Sequence, residues 1–307
     1  MADGATVAGD VPNEARDAAR ALRKLVYTCT FDSYDNLLSP LARTPGTPFL
    51  HFSDRPAPLT FGWRFRPLPG AVAGWPQNEA NRYCKLLPHR VLPDVDLSIY
   101  IDGNILVLGD LTALIEEFVA SDADIALIDH PVPGNTVAQE IRRALDLDRI
   151  VPERRHLAER QIADYEGRGW ADLPVSFNCI LFRRHDRPGM SDLMEAWWEE
   201  THRTILRDQT SLAGVLAESG LRSHRWAWDL EGKDNPHFVR YMHRVPGARR
   251  WGALSDAQAA SLLRAPYSRV DRTFQRYVVA PLRRAMGRPP VKETFLRPAA
   301  QPLPKGD

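Results

Sequence analysis

The stretch Ser98-Ile-Tyr-Ile-Asp-Gly-Asn104 decides the expected fold, because it joins an apolar strand to oxygen-bearing side chains. Alternate residues of a strand point to the same side, so Asp102 and Asn104 are predicted to share one divalent cation. Carboxylate and amide oxygens are hard ligands that suit Mn²⁺ or Mg²⁺. Asp-Gly-Asn is also a common sequence of tight turns, and this alternative stays open.

On both sides of this stretch, short apolar runs alternate with segments of helical periodicity. Strands are predicted at 25–30, 49–53, 97–102, 105–108, 124–128, 177–183 and 222–228. Helices are predicted at 78–87, 111–120, 136–145, 153–166, 188–202 and 208–218. This alternation favours an α/β fold in which helices flank a mostly parallel mixed sheet.

The two ends of the chain differ from its middle. Residues 1–24 are predicted to be a loosely ordered lead-in with one short helical stretch, and residues 25–251 to form the main domain. A basic helical extension is expected at 252–290 and a proline-rich disordered tail at 291–307. Within the extension, 268–285 can be drawn as an amphipathic helix, which either packs on the domain or lies on an anionic membrane surface.

Charge and composition exclude several classes of protein. The 307 residues carry 40 basic and 39 acidic side chains, whereas a dedicated nucleic-acid binder usually has a larger basic excess. No apolar run approaches the ~20 residues that span a bilayer. The first ten residues lack the basic and apolar regions of a secretory signal, and the three cysteines are too scattered for a disulfide framework. The expected location is therefore the cytoplasm, and it includes the inner face of the membrane.

Two blocks of the chain are strongly charged. Residues 91–141 contain ten carboxylates and no Lys or Arg, while residues 240–288 contain eleven arginines and two acids. The acidic block is interpreted either as a solvated face or as a centre that attracts cations. The basic block is interpreted either as a solvated face or as a tail that contacts an anionic surface or partner.

An ordered set of motifs resembles one known family. The motifs are Tyr27-Thr-Cys-Thr-Phe-Asp-Ser-Tyr-Asp35, Phe52-Ser-Asp54, Asn81-Arg-Tyr-Cys-Lys85, Tyr100-Ile-Asp-Gly-Asn104, Asp129-His-Pro131 and Arg207-Asp-Gln-Thr-Ser211. In this order they resemble the glycosyltransferase-like domain of plant mucilage-related and turgor-regulation proteins, across roughly residues 25–243. The resemblance implies a GT-A type fold that binds a nucleotide sugar.

The resemblance also implies which residues contact the nucleotide. The residues that would border it are Thr30, Phe31, Asp32 and Tyr34, with Asp54 at the base or ribose. Arg82 and Lys85 lie one helical turn apart and would reach the nucleotide or its phosphates. The alternative for these two cations is a surface ion pair with an acid such as Glu79.

The remaining site residues concern the metal and the sugar. Asp102 would be the metal aspartate, Asn104 stands where a full motif has a second Asp, and His243 resembles a late histidine ligand. Asp208 and Gln209 resemble a pair that begins a helix beneath the transferred sugar, and Asp208 can at the same time cap the free backbone N–H groups of that helix. His130 follows a strand end, where open α/β sheets collect ligands, and could equally be an ordinary loop histidine.

The resemblance therefore implies a hexosyl- or glycuronosyltransferase of bacterial glycan synthesis. It would move a sugar from a nucleotide-diphosphate sugar, with a UDP-sugar as the expected donor, to a hydroxyl of a glycan or lipid-linked acceptor. Two alternatives remain open at this point: a metal-dependent hydrolase of ceramidase type and a non-catalytic relic that binds nucleotide sugars. Trp197 and Trp198 are predicted to be core residues rather than a sugar platform.

Overall fold

The computed structural model describes residues 11–31, 37–54, 61–230 and 235–240, together with the single positions 277, 281 and 285. The strands are β1 (Lys24–Cys29), β2 (Phe49–Ser53), β3 (Arg64–Pro67), β4 (Leu97–Ile101), β5 (Ile105–Val107), β6 (Ile125–Ile128), β7 (Ile180–Arg184), β8 (Ser223–Trp226) and β9 (Phe238–Arg240). The helices are α1 (Asn13–Ala21), α2 (Gln77–Leu86), α3 (Pro88–Val91), α4 (Thr112–Ala120), α5 (Val137–Asp146), α6 (Ala158–Gly167), α7 (Met190–Arg203) and α8 (Asp208–Ser219). Short 3₁₀ turns lie at Gly70–Val72 and Pro152–Leu157.

A seven-stranded mixed sheet organises these elements, in the strand order β3-β2-β1-β4-β7-β6-β8. The pairs β1/β2, β2/β3 and β6/β8 are parallel, and the pair β6/β7 is antiparallel. Every residue of β4, β6 and β7 is buried, as expected where helices cover both faces of a sheet. The α/β class and the mostly parallel mixed sheet are therefore confirmed.

By its internal contacts the chain divides into two compact units. Unit 1 consists of Met1–Leu25, Arg82–Tyr100 and Leu111–Ala227, and unit 2 of Val26–Asn81, Ile101–Asp110 and Trp228–Asp307. The boundaries at 24, 251 and 290 remain predictions from composition.

Unit 1 includes part of the segment that was expected to be loosely ordered. Residues 13–21 form α1, which contacts α4 through a buried Ala19 and an ion pair between Arg16 and Glu116 at 3.8 Å. After the helix, the guanidinium of Arg23 donates to both carboxylate oxygens of Asp96, at 3.0 and 2.7 Å. The observed helix and its anchors make residues 13–23 part of the folded unit.

Unit 2 contains two elements that the apolar pattern missed. Strand β3 is exposed along its whole length, so the sequence Arg-Phe-Arg-Pro carries no buried face that would mark a strand. Strand β9 has three residues and pairs antiparallel with β5, with Leu106 opposite Val239. These two residues join Leu38, Leu41 and Leu108 in a small apolar core.

The basic extension and the tail lie outside the described residues, apart from the three single positions. The predictions of an amphipathic helix at 268–285 and of a disordered end therefore stay predictions. Among the residues that are described, no helix is long and apolar enough to cross a membrane.

Candidate active site

Two of the predicted site residues, Lys85 and Asp208, form an ion pair in unit 1. The Nζ atom of Lys85 lies 2.7 Å from Oδ2 of Asp208, and the two side chains are only 9% and 17% exposed. The same ammonium group lies 5.1 Å from the centre of the Tyr100 ring, within the range of a cation–π contact. A surface ion pair with Glu79 is therefore the wrong description of Lys85, because its ammonium is buried against Asp208.

Local structure explains why these side chains are buried together. Lys85 lies in the last turn of α2, between the fully buried Cys84 and Leu86, so the helix carries it inward. Asp208 is the first residue of α8, where the helix dipole favours a carboxylate. The residue at the capping position is Arg207, without a side-chain capping bond, so Asp208 acts on the start of α8 from the first turn of the helix and not from its cap.

The charges around Asp208 control its ionisation. Burial by itself would raise the pKa of Asp208, but the positive charges of Lys85 and Arg82, the hydrogen bond from Lys85 and the charge of Arg207 together lower it to about 2. Asp208 is therefore ionised at neutral pH. Three cations face one carboxylate, which leaves an excess of positive charge at the start of α8.

This depressed pKa makes a testable contribution to stability. The unfolded-state pKa is near 3.8, so the stabilisation is complete above that pH and is lost as pH falls through about 2. The shift corresponds to about 2 kcal/mol at pH 7. In urea denaturation, wild type is expected to be more stable than Asp208→Asn at pH 7, and the difference should shrink between about pH 4 and pH 2.

Asp122 supplies a matched carboxylate for this experiment. It is exposed, and its pKa is lowered by hydrogen bonds from Arg222 and Arg187. Because water and salt screen such a pair, Asp122→Asn should give a smaller difference that weakens at high salt. A difference for Asp208→Asn that does not change with pH would contradict the role given to the cations around it.

The backbone at the start of α8 is held by two side chains of unit 1. The indole N–H of Trp197 donates to the carbonyl oxygen of Asp208 at 2.9 Å, and Nδ2 of Asn178 donates to the same oxygen at 3.3 Å. The hydroxyl of Ser176 donates to Oδ1 of Asn178 at 2.6 Å and fixes the orientation of that amide. Trp197 is fully buried, which confirms its prediction as a core residue.

Two polar groups next to Asp208 are buried without a hydrogen bond. Within the described part of the chain, neither Nε2 of Gln209 nor Nε of Arg207 has a hydrogen-bond partner. Buried polar groups in proteins are nearly always paired, so donors of this kind need an explanation. A bound ligand at this helix start would supply one.

His130 follows β6, as predicted, and its ring nitrogens face neighbouring protein groups. Nδ1 accepts a hydrogen bond from the backbone N–H of Val132 at 3.1 Å, and Nε2 lies 3.6 Å from Oε2 of the buried Glu140. Nδ2 of Asn135 donates to the same carboxylate oxygen at 2.9 Å. No motif singled out Glu140 or Asn135 as neighbours of His130, and the catalytic role of His130 stays a prediction.

In unit 2, Thr30 is held by a histidine that the sequence did not single out. The hydroxyl of Thr30 lies 2.7 Å from Nε2 of His51, and both residues are buried. Burial lowers the pKa of His51 to about 4, against the opposing charge of Asp54, so the ring is neutral at pH 7. Phe31 is buried and Asp54 is exposed at the end of β2, whereas Asp32 and Tyr34 lie outside the described residues.

Asp102 and Asn104 lie in a tight turn after β4. Strand β4 ends at Ile101, and the backbone N–H of Ile105 donates to the carbonyl oxygen of Asp102 at 2.9 Å. The argument from alternation along a strand is therefore wrong for this pair, because Gly103 and Asn104 form the middle of a turn. The turn still keeps a carboxylate and a buried amide within two residues of each other.

A metal site is supported here by ligand chemistry alone. Among the described residues, no group of three or more His, Cys, Asp or Glu side chains is placed to hold a metal ion. Asp102 and Asn104 offer oxygen ligands of the kind that Mn²⁺ and Mg²⁺ take. The third predicted ligand, His243, lies outside the described residues.

Comparison with known proteins places these residues in a family. The model of the TOD1/MUCI70 glycosyltransferase-like domain matches residues 76–229, which is half of the chain. The chain belongs to this family. The matched span includes Arg82, Lys85, Asp102, Asn104 and Asp208, while the motifs at 27–35 and 52–54 lie before it and His243 after it. The family expected from the ordered motifs is thereby confirmed, and with it the coarse class of glycosyltransferase.

Further comparisons add little about function. No curated protein matches the chain. Among solved structures, the apo form of mouse xyloside xylosyltransferase 1 is similar at 13% sequence identity with a TM-score of 0.43, over 66% of this chain and 85% of that one. A similarity of this size does not identify a donor, an acceptor or a catalytic residue.

Proposed function

We propose that this protein transfers a sugar from a nucleotide-diphosphate sugar, with a UDP-sugar as the expected donor, to a hydroxyl of a glycan or lipid-linked acceptor. One observation supports this proposal above the others. In a chain of a glycosyltransferase-like family, the positive charges of Lys85, Arg82 and Arg207 act together on the single ionised carboxylate of Asp208. Such a cluster suits a diphosphate, because phosphate oxygens form strong charge-assisted hydrogen bonds with cations.

In the proposed reaction, the acceptor oxygen forms a bond to the anomeric carbon of the sugar. The bond from that carbon to the diphosphate breaks, the nucleoside diphosphate leaves with the electron pair, and the proton of the acceptor hydroxyl is released to water. Arg82, Lys85 and Arg207 stabilise the negative charge that develops on the leaving group. Asp208 and Gln209 are at the rigid start of α8, where they orient the sugar or the acceptor hydroxyl.

A divalent cation is part of this proposal. Asp102 and Asn104 would hold it, with His243 as a further ligand. When bound, Mn²⁺ or Mg²⁺ supplies Lewis-acid stabilisation of diphosphate oxygens. Because the amide of Asn104 is neutral, we expect weaker metal binding than two carboxylates would give.

The cytoplasmic location and a peripheral membrane contact through the basic extension are also proposals. They rest on composition and charge.

A thermal-shift series tests the proposal. UDP, GDP, CDP and dTDP are each added with and without Mn²⁺ to wild type, Asp102→Ala and Arg207→Gln. A nucleotide at about 100-fold its Kd stabilises by about 2.7 kcal/mol, which raises the midpoint by about 5 °C or more. We expect a shift with UDP that needs Mn²⁺, disappears in Asp102→Ala and is smaller in Arg207→Gln.

Arg142→Gln serves as the control, because it removes an exposed cation from α5 in the same unit. Its shift should equal that of wild type. If none of the four nucleotides raises the melting midpoint of wild type, the transferase proposal is overturned. If UDP raises it equally with and without Mn²⁺, the metal's part in the proposal is overturned. Binding of UDP without turnover of UDP-sugars would identify the non-catalytic relic.

A further inference from the structure

Arg183 is a fully buried arginine that contacts the helix carrying Lys85. It lies in β7, in the interior of the sheet, and is 0% exposed. Its Nη1 atom donates to the backbone carbonyl oxygen of Lys85 at 2.6 Å and lies 3.5 Å from Sδ of Met194 in α7. The guanidinium therefore lies between β7, α7 and the end of α2.

The carbonyl that Arg183 contacts needs a partner for a general reason. The last four carbonyl groups of a helix have no partner within it, and Lys85 lies in that last turn of α2. Water cannot supply a bond readily, because Cys84, Leu86 and Leu87 are all fully buried. A cation at this end of a helix is also favoured by the helix dipole.

We infer that Arg183 is a positioning residue for the Lys85–Asp208 pair. It fixes the backbone of Lys85 at the end of α2, and the side chain of Lys85 then reaches Asp208 at 2.7 Å. A lysine side chain has four flexible carbons, so a fixed backbone reduces the positions that its ammonium can take. Arg183 contributes to the pair through Lys85, without itself contacting a substrate.

The test follows the ionisation of Asp208 in the full-length protein. The ¹³C signal of its carboxyl group is assigned as the one missing from Asp208→Asn and is then titrated by NMR. In wild type, we expect it to stay ionised down to the lowest pH at which the protein is folded. In Arg183→Met, the midpoint should rise by about 1 to 3 pH units, because Lys85 is no longer held against the carboxylate.

Arg184→Met is the matched control, since Arg184 is the next residue of the same strand and pairs with Asp186 at 2.7 Å. A general loss of packing would affect both variants, but only Arg183→Met should move the Asp208 midpoint. In a Lys85→Met background, Arg183→Met should add no further shift. If Arg183→Met does not fold, Arg183→Lys replaces it and is expected to give a smaller rise.

An unchanged midpoint in the folded variant, or an equal rise in Arg184→Met, would overturn the inference. The titration needs no nucleotide, so it does not depend on the proposed function. A moved midpoint with no UDP binding in wild type would support the positioning role and contradict the transferase proposal. An unchanged midpoint together with UDP binding by wild type would overturn the positioning role and support the transferase proposal.

Discussion

Lys85→Met is expected to lower the free energy of unfolding by about 3 to 5 kcal/mol, because it leaves the carboxylate of Asp208 buried without its nearest cation. Methionine keeps most of the volume of the lysine side chain, so the loss measures charge rather than packing. The cost is measured by urea denaturation at pH 7. Asp208 should also titrate at a higher pH in this variant, since the largest attraction that lowers its pKa is gone.

Lys24→Met is the control for removing a lysine. Its ammonium donates to the carbonyl oxygen of Ala19 at 2.9 Å, at the end of α1, and has no carboxylate partner among the contacts described for it. We expect a cost of about 1 kcal/mol, typical of one hydrogen bond at a helix end.

Removing both Lys85 and Asp208 separates the net contribution of the ion pair to stability from the penalty of leaving one of its charges without a partner. The double variant Lys85→Met/Asp208→Leu should be about as stable as wild type, because apolar residues of similar volume often replace a buried ion pair without loss. Nucleotide binding should nevertheless be lost in it. Equal costs for Lys85→Met and Lys24→Met would show that the buried pair does not contribute as proposed.

Gly214→Ala is expected to lower the free energy of unfolding by about 3 kcal/mol. A Cβ atom at this position in α8 would overlap Cε3 and Cδ2 of the Trp170 ring. Trp170 is 2% exposed and cannot move aside easily, because Arg168 stacks 3.4 Å above its ring and Tyr165 packs beside it. Chemical denaturation measures the loss, and circular dichroism checks that the helices persist.

Gly167→Ala is the matched control. Gly167 is the last residue of α6, and a Cβ atom there would meet nothing within 4 Å. Alanine at this site should therefore leave stability unchanged or raise it by up to about 1 kcal/mol, since alanine favours helix. If Gly214→Ala behaved in the same way, the close packing of α8 on Trp170 would be refuted.

Local pattern was sufficient for the main elements of the sheet. The runs at 49–53, 97–102 and 124–128 are apolar because strands buried on both faces must be, and the observed strands match them within a residue. Strand β3 was missed because all of its residues are exposed, so it has no apolar run. The turn at Asp102 was one of two interpretations, and the backbone bond to Ile105 confirms it, whereas a shared cation on Asp102 and Asn104 stays a prediction.

The sequence by itself determined the α/β class and the family, and it named Lys85 and Asp208 as two separate candidate site residues. Only the tertiary structure showed that these two side chains form one buried pair, that Arg183 holds the backbone beneath Lys85, and that Asn178 and Trp197 hold the start of α8. The physical reason is that strand and helix patterns depend on neighbours in the sequence. Ion pairs and hydrogen bonds between distant residues depend instead on which elements pack together, and periodicity does not encode that choice.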